Sequence, residues 1–120
     1  MVLADTSVWV QHFRRSEPGL AAQLGEGAVL MHPFVAGELA CGNLKNRDAI
    51  LAELNALPLA RAATHGEALK LLTDRRLWGR GLGWIDLHLL ASALISHCEF
   101  WTYDKCLAQA ARELDVLGEA

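Results

Sequence analysis

The 120-residue sequence predicts an α/β fold built on a parallel sheet. Three observations carry this. Short apolar runs alternate with segments of helical periodicity along the whole chain. Leu (22) and Ala (19) far outnumber Val and Ile, which total nine, so helix formers outweigh strand formers and an all-β fold is excluded. Several of the apolar runs lead almost at once into a helix start, the arrangement of strand–helix crossovers. The length suits one domain over residues 1–120 with one core, stable without disulfide or zinc. A hydrophobic content of 52% excludes disorder and is high enough to suggest a deep core or an apolar face for another chain.

Val2-Leu3-Ala4 is a short buried strand that runs into Asp5-Thr6-Ser7, a helix start. Thr6, Trp9, Val10 and Phe13 share one stripe of the helix that follows, and Arg14 to Pro18 breaks it. A short helix over about 18–24 precedes Gly25 and Gly27, and Ala28 to Met31 is a second strand. Pro33 fits the first position of a third helix, which runs to Gly42 or just past it. Asn46 is placed to cap a fourth over about 47–56. Leu57 to Ala60 is an edge strand, because Pro58 has no N–H for a ladder. Thr64-x-x-Glu67 is a capping box opening a helix to about 77. Three glycines mark 78–83 as a loop. Trp84 to His97 is a helix apolar almost all round, hence buried. Phe100 to Thr102 is a strand, Asp104 caps a last helix to about 114, and Val116-Leu117 is a final short strand.

Several function classes fall away. Cys41, Cys98 and Cys106 are odd in number and far apart, which fits reduced thiols in the cytoplasm better than a disulfide or metal site. The histidines at 12, 32, 65, 88 and 97 lack the H-E-x-x-H spacing. No apolar run approaches ~18 residues, so no membrane span is expected. The N-terminus has no basic region before Asp5, against a signal peptide. A net charge of −3 counts against a bulk electrostatic nucleic-acid binder, unless some acids are neutralised by metal.

Four acids fall where acids are costly. Asp5 directly follows the first strand. Glu38 lies between Val35 and Gly42 on one side and Phe34 and Cys41 on the other, on the apolar stripe of its helix. Asp86 shares the stripe of Leu89, Leu90 and Ala93 in the first turn of the most apolar helix. Asp104 follows the strand at Phe100–Thr102 within two residues. Parallel sheets place their sites beyond the C-terminal strand ends, where Asp5 and Asp104 lie. Such a cluster repels itself unless a hard divalent cation, Mg²⁺ or Mn²⁺, neutralises it. Removing four acids from −3 leaves +1, so the remaining surface is mildly basic. Arg14, Arg15, Arg75, Arg76 and Arg80, with Lys45, Arg47 and Lys70, are then available for phosphates.

These segments carry a resemblance. Val2 to Val10 resembles the first motif of PIN domains, Val35 to Gly42 the second, built around a Glu, and Ile85 to Ala93 the third. Phe100 to Leu107, with Thr102-x-Asp104, is similar to the fourth. Together they span nearly the whole chain, and its length resembles that of the VapC-type toxins of bacterial toxin–antitoxin pairs. The resemblance implies a three-layer α/β/α sandwich with a parallel sheet of four to five short strands. It implies a Mg²⁺- or Mn²⁺-dependent endoribonuclease inhibited by a VapB-type antitoxin. Its catalytic and metal-binding residues would be Asp5, Glu38, Asp86 and Asp104, supported by hydrogen bonds from Thr6 or Ser7. Lys105 beside Asp104 departs from the pattern, since a cation there competes with metal.

In that reading Asp5 and Asp86 hold the first ion, while Glu38 and Asp104 orient the water or help bind a second. The alternatives are a phospho-accepting signalling module or a non-enzymatic binding module. The first wants paired acids near the first strand and an Asp after the second, which Ala28–Met31 lacks. A D-x-D phosphatase is disfavoured by Ser7. Four Trp residues and the apolar excess predict a homodimer. Trp9 and Phe13 are the expected exposed patch, in a groove that takes an amphipathic antitoxin segment.

Overall fold

The computed structural model describes residues 1–119. In chain order the elements are β1 (Val2–Ala4), α1 (Thr6–Arg15), α2 (Pro18–Gly25), β2 (Val29–Leu30), α3 (Pro33–Cys41), α4 (Arg47–Asn55), α5 (His65–Asp74), α6 (Trp84–Ser96), β3 (Glu99–Trp101) and α7 (Lys105–Glu113). The three strands form a parallel sheet in the order β2-β1-β3. Leu3 lies between Leu30 and Phe100 in the ladder.

Two further segments extend the sheet by single parallel bridges, Met31 with Leu59 and Phe100 with Leu117. They are the expected edge strands at 57–60 and 116–117, each reduced to one rung. Met31 N donates to the Pro58 carbonyl and Ala60 N to the Met31 carbonyl. Pro58 serves only as an acceptor, which limits pairing there. On the far edge, Gly118 N donates to the Phe100 carbonyl, and a Cβ at Gly118 would run into the Trp101 indole and the Glu99 carboxylate. The strand count of three is therefore slightly below the four to five expected.

Right-handed crossovers dictate the layers. The path from β1 to β2 and on to the Leu59 rung moves one way, which puts α1 to α4 on one face. The return to β3 and the step to Leu117 run the other way, which puts α5 to α7 on the opposite face. The packing agrees: α1 meets α3, α3 meets α4, and α5 meets α6. The core between the layers holds Leu3, Val8, Leu20, Met31, Val35, Leu89, Leu90, Phe100 and Leu107, all essentially inaccessible. No helix among the described residues is long and apolar enough to cross a membrane.

Element boundaries differ from the sequence expectation in physically informative ways. The capping box of α5 forms in full, with Thr64 N donating to Glu67 Oε1 and Glu67 N to Thr64 Oγ1. That helix stops at Asp74, because Leu77 N turns back to the Leu72 carbonyl. Asn46 precedes α4 but does not cap it: it is left-handed (φ 52°, ψ 47°), and its side chain makes no capping bond. β3 ends at Trp101, one residue earlier than expected. This releases Thr102 from the ladder toward the strand ends.

Candidate active site

The chain leaves β1 for β2 on one side, while β3 lies on the other. The C-terminal ends of β1 and β3 therefore bound a switch point, where open parallel sheets form a crevice. Asp5 stands at one lip and Thr102-Tyr103-Asp104 at the other.

Asp5 is the N-cap of α1, and only 6% of it is exposed. Its Oδ1 accepts from Ser7 Oγ at 2.6 Å and from Val8 N at 3.2 Å. Its Oδ2 accepts from Thr102 Oγ1 at 2.5 Å. Asp104 is the N-cap of α7, with Oδ1 accepting from Leu107 N at 2.9 Å and its own N–H donating to Thr102 Oγ1 at 3.0 Å. Both residues thus cap helices, as expected for Asp104. The cap uses one oxygen of Asp104 and leaves the other.

Asp86 lies in the first turn of α6, half-buried, with Oδ2 accepting from Gly83 N at 2.8 Å. Burial pushes its carboxyl above the ordinary carboxylate range. The Gly83 N–H opposes that shift, and the negative charges of Asp104, Asp5 and Glu38 add to it. Asp86 thus feels the charge of each of the other three acids.

Glu38 corrects the sequence reading. It is exposed on α3, not packed in the apolar stripe, although its neighbours Val35 and Leu39 are buried. It stands at the edge of that stripe and lines a hollow between α1, α3 and α4. Its Oε1 accepts from Thr6 Oγ1 at 2.7 Å. Thr6 and Ser7 thus each hold one of the acids, Thr6 on Glu38 and Ser7 on Asp5.

A shared pattern follows. Asp86, Glu38 and Asp104 each have one oxygen pinned by a hydrogen bond, while the other accepts none among the described residues. Asp5 has three of its roughly four lone-pair positions filled, with the remaining one on Oδ2. Pinning by outer donors is how ligand carboxylates are oriented toward a cation. Among the described residues, no three His, Cys, Asp or Glu side chains would enclose an ion by themselves. Mg²⁺ keeps several of its waters and is held through one or two carboxylates. The donor set of hard, oriented oxygens fits a divalent cation of this kind.

The sequence missed Thr102 as a supporting residue. The signal was its place two residues before Asp104, but its tie to Asp5 depends on where β3 stops. The arginines are not gathered at the acids. Arg14 lines a hollow with Thr6 and Glu38. Arg80 is paired with Glu113. Arg75 sits beside Leu94 and Ile95, more than two turns along α6 from Asp86, and Arg76 follows it in a left-handed turn. Arg15 is exposed at the end of α1.

The Trp9 part of the expected exposed patch is also corrected: Trp9 is 2% exposed and in the core, whereas Phe13 is 37% exposed. Trp9 is one turn nearer the sheet and fills the space beneath α1. Phe13 lines the 720 Å³ hollow between α1, α3 and α4, with Thr6, Val10, Glu38 and Ile50.

The PIN domain family model matches residues 2–113 of the chain. A curated relative, "Ribonuclease VapC32" of Mycobacterium tuberculosis strain ATCC 25618 / H37Rv, is 45% identical over 117 residues, which is 97% of this chain and 94% of the relative. The protein of the same name from strain CDC 1551 / Oshkosh matches with the same identity and coverage.

Proposed function

The chain belongs to the PIN domain family, and on that footing we propose that it is a metal-dependent endoribonuclease, the toxin of a toxin–antitoxin pair, acting in the cytoplasm. The observation that carries the reading is the pairing of Asp5 and Asp104 through Thr102 at the switch point of the sheet, with half-buried Asp86 feeling the charges of the other three acids. The similarity to a relative named a ribonuclease supports RNA as the substrate. The phospho-accepting alternative loses ground, because the residue after Met31 is His32, which caps α3 through Phe34 N.

A Mg²⁺ or Mn²⁺ ion, when bound, would acidify a water and screen the charge of the phosphodiester. Asp5 and Asp86 would hold the first ion. Ser7, Val8 and Thr102 fix the Asp5 carboxylate, and the Gly83 N–H fixes that of Asp86, so neither reorganises when RNA arrives. Glu38 Oε2 and Asp104 Oδ2 remain open to accept hydrogen bonds from a water and to orient it, or to help bind a second ion. Arg14 and Lys45, which line the same hollow as Glu38, are the cations placed for a substrate phosphate.

A VapB-type antitoxin is the protein partner in this reading, and a homodimer its assembly. The hollow between α1, α3 and α4 starts at Thr6 and Glu38 and runs along Val10, Phe13 and Ile50. An amphipathic segment laid there would cover the apolar lining and end at the acids. The test is incubation of the purified chain with single-stranded RNA. Cleavage with Mg²⁺ or Mn²⁺, lost in EDTA and restored by adding metal, supports the proposal. EDTA-resistant cleavage, or none under any metal, overturns it.

A further inference from the structure

Tyr103 is the residue between Thr102, which holds Asp5, and Asp104. Its ring is fixed at both ends. The backbone N–H donates to Ser7 Oγ at 3.0 Å, the same hydroxyl that holds Asp5 Oδ1. The phenolic O–H donates to Glu17 Oε2. Glu17 is in turn fixed as the N-cap of α2, and its own N–H donates to His12 Nδ1 at 3.0 Å. Between these tethers 48% of the residue is exposed, and its ring pairs with no other aromatic among the described residues. Phe34 and Trp84, also exposed, pack against the ring of His88, and Trp78, exposed and without a ring partner among the described residues, lies on the loop between α5 and α6.

An exposed aromatic surface usually costs something in water, and a long side chain usually stays mobile. Here the phenol is spent on Glu17 and the backbone on Ser7, so what remains for a ligand is the face of the ring. A fixed π-face beside a nuclease centre suits a nucleobase. Bases of single-stranded RNA are unstacked and available, and stacking on Tyr is sequence-tolerant. Because the ring is already ordered, little rotamer entropy is lost when a base lands on it.

We propose that Tyr103 is a stacking platform for a nucleobase adjoining the phosphodiester that the acids cleave. This rests on the ribonuclease reading above. Tyr103 binds and positions substrate and takes no part in proton transfer.

The experiment uses the full chain with Mn²⁺ and short single-stranded RNAs carrying 2-aminopurine at each position in turn. KM, kcat and the fluorescence quench on mixing are read for wild type, Tyr103→Phe, Tyr103→Trp and Tyr103→Leu. Stacking predicts that Tyr103→Leu raises KM about tenfold with kcat nearly unchanged, and abolishes the quench at one position. Tyr103→Phe, which keeps the ring but loses the Glu17 tether, should keep the quench with a modestly raised KM, and Tyr103→Trp should keep the quench, which keeps the test decisive if the Leu variant folds poorly. Loss of the quench in Tyr103→Phe would assign the effect to the Glu17 tether and overturn the platform. An unchanged KM and quench in folded Tyr103→Leu would overturn it too, as would an effect on antitoxin binding alone. In those cases wild-type cleavage still stands, whereas a wild type that cuts no RNA removes the ribonuclease reading itself.

Discussion

Thr102 Oγ1 donates to Asp5 Oδ2 at 2.5 Å, tying together residues 97 positions apart. The same hydroxyl accepts from Asp104 N. One side chain just past the end of β3 therefore sets the relation between two of the four acids.

Thr102→Val keeps the shape and removes both bonds. A hydrogen bond to a charged group contributes about 1.5–3 kcal/mol, and losing an outer support of a ligand carboxylate costs about tenfold or more in activity. The variant should fold, melt at a lower temperature and cleave RNA at least about tenfold more slowly. Wild-type rates in Thr102→Val would show that Asp5 needs no such support.

Asp86 gives a pH-dependent stability with a defined sign. Its carboxyl is raised, so the native state keeps the proton to a higher pH than the unfolded chain does. Stability therefore falls as pH rises through the window from the ordinary carboxylate value upward, and stays lower above it. Asp86→Asn should melt at a higher temperature than wild type at pH 7 and at the same temperature near pH 3. Melting curves at the two pH values check this, and a variant less stable at pH 7 would contradict it.

His32 acts in the opposite direction. Burial, and then the neighbouring His88, lower its pKa to about 4 from the ordinary 6.5. The neutral ring accepts from Phe34 N through Nδ1, which leaves Nε2–H for Ser92 Oγ at 3.1 Å. The unfolded chain binds this proton first, so the contribution is present above pH 6.5 and is lost as pH falls toward 4. The full loss is on the order of 3 kcal/mol. Urea midpoints measured from pH 7 to pH 4.5 should fall in wild type and fall less in His32→Asn. Parallel slopes would remove His32 as the titrating group.

Phe13 tests the partner groove. It lines the hollow leading to Glu38 but touches none of the acids' pinning bonds. Phe13→Asp should weaken antitoxin binding about 30-fold, as loss of a buried aromatic anchor does, while RNA cleavage by the free chain is unchanged. Equal antitoxin affinity in the variant would place the partner elsewhere.

Much of this arrangement is legible in the sequence because burial is costly for charge. Asp5 and Asp86 stand out in apolar surroundings, and Asp104 falls within reach of a strand end. Glu38 was legible as a site residue for a reason that proved incomplete. A helical wheel shows that it borders the apolar stripe, but not that Val35 and Leu39 close on the core while Glu38 itself stays exposed at the stripe's edge. Trp9 and Phe13 share one stripe, and only the depth of α1 over the sheet separates the buried ring from the exposed one. The role of Thr102 depends on a one-residue boundary of β3, and the Tyr103–Glu17 tether joins α2 to the far side of the crevice. Contacts of that range leave no periodic trace. Asn46 shows the reverse case, a residue of good capping type whose left-handed backbone turns its side chain away from the helix end.

The central claim is that four carboxylates on separate elements act as one cation-holding site. Calorimetric titration of Mn²⁺ into the RNA-free chain at neutral pH tests it most directly, with Asp5→Asn and Asp86→Asn in parallel. Saturable binding in wild type, lost or weakened at least about tenfold in each folded variant, is the predicted result. No binding in wild type, or binding that neither substitution alters, would contradict the site.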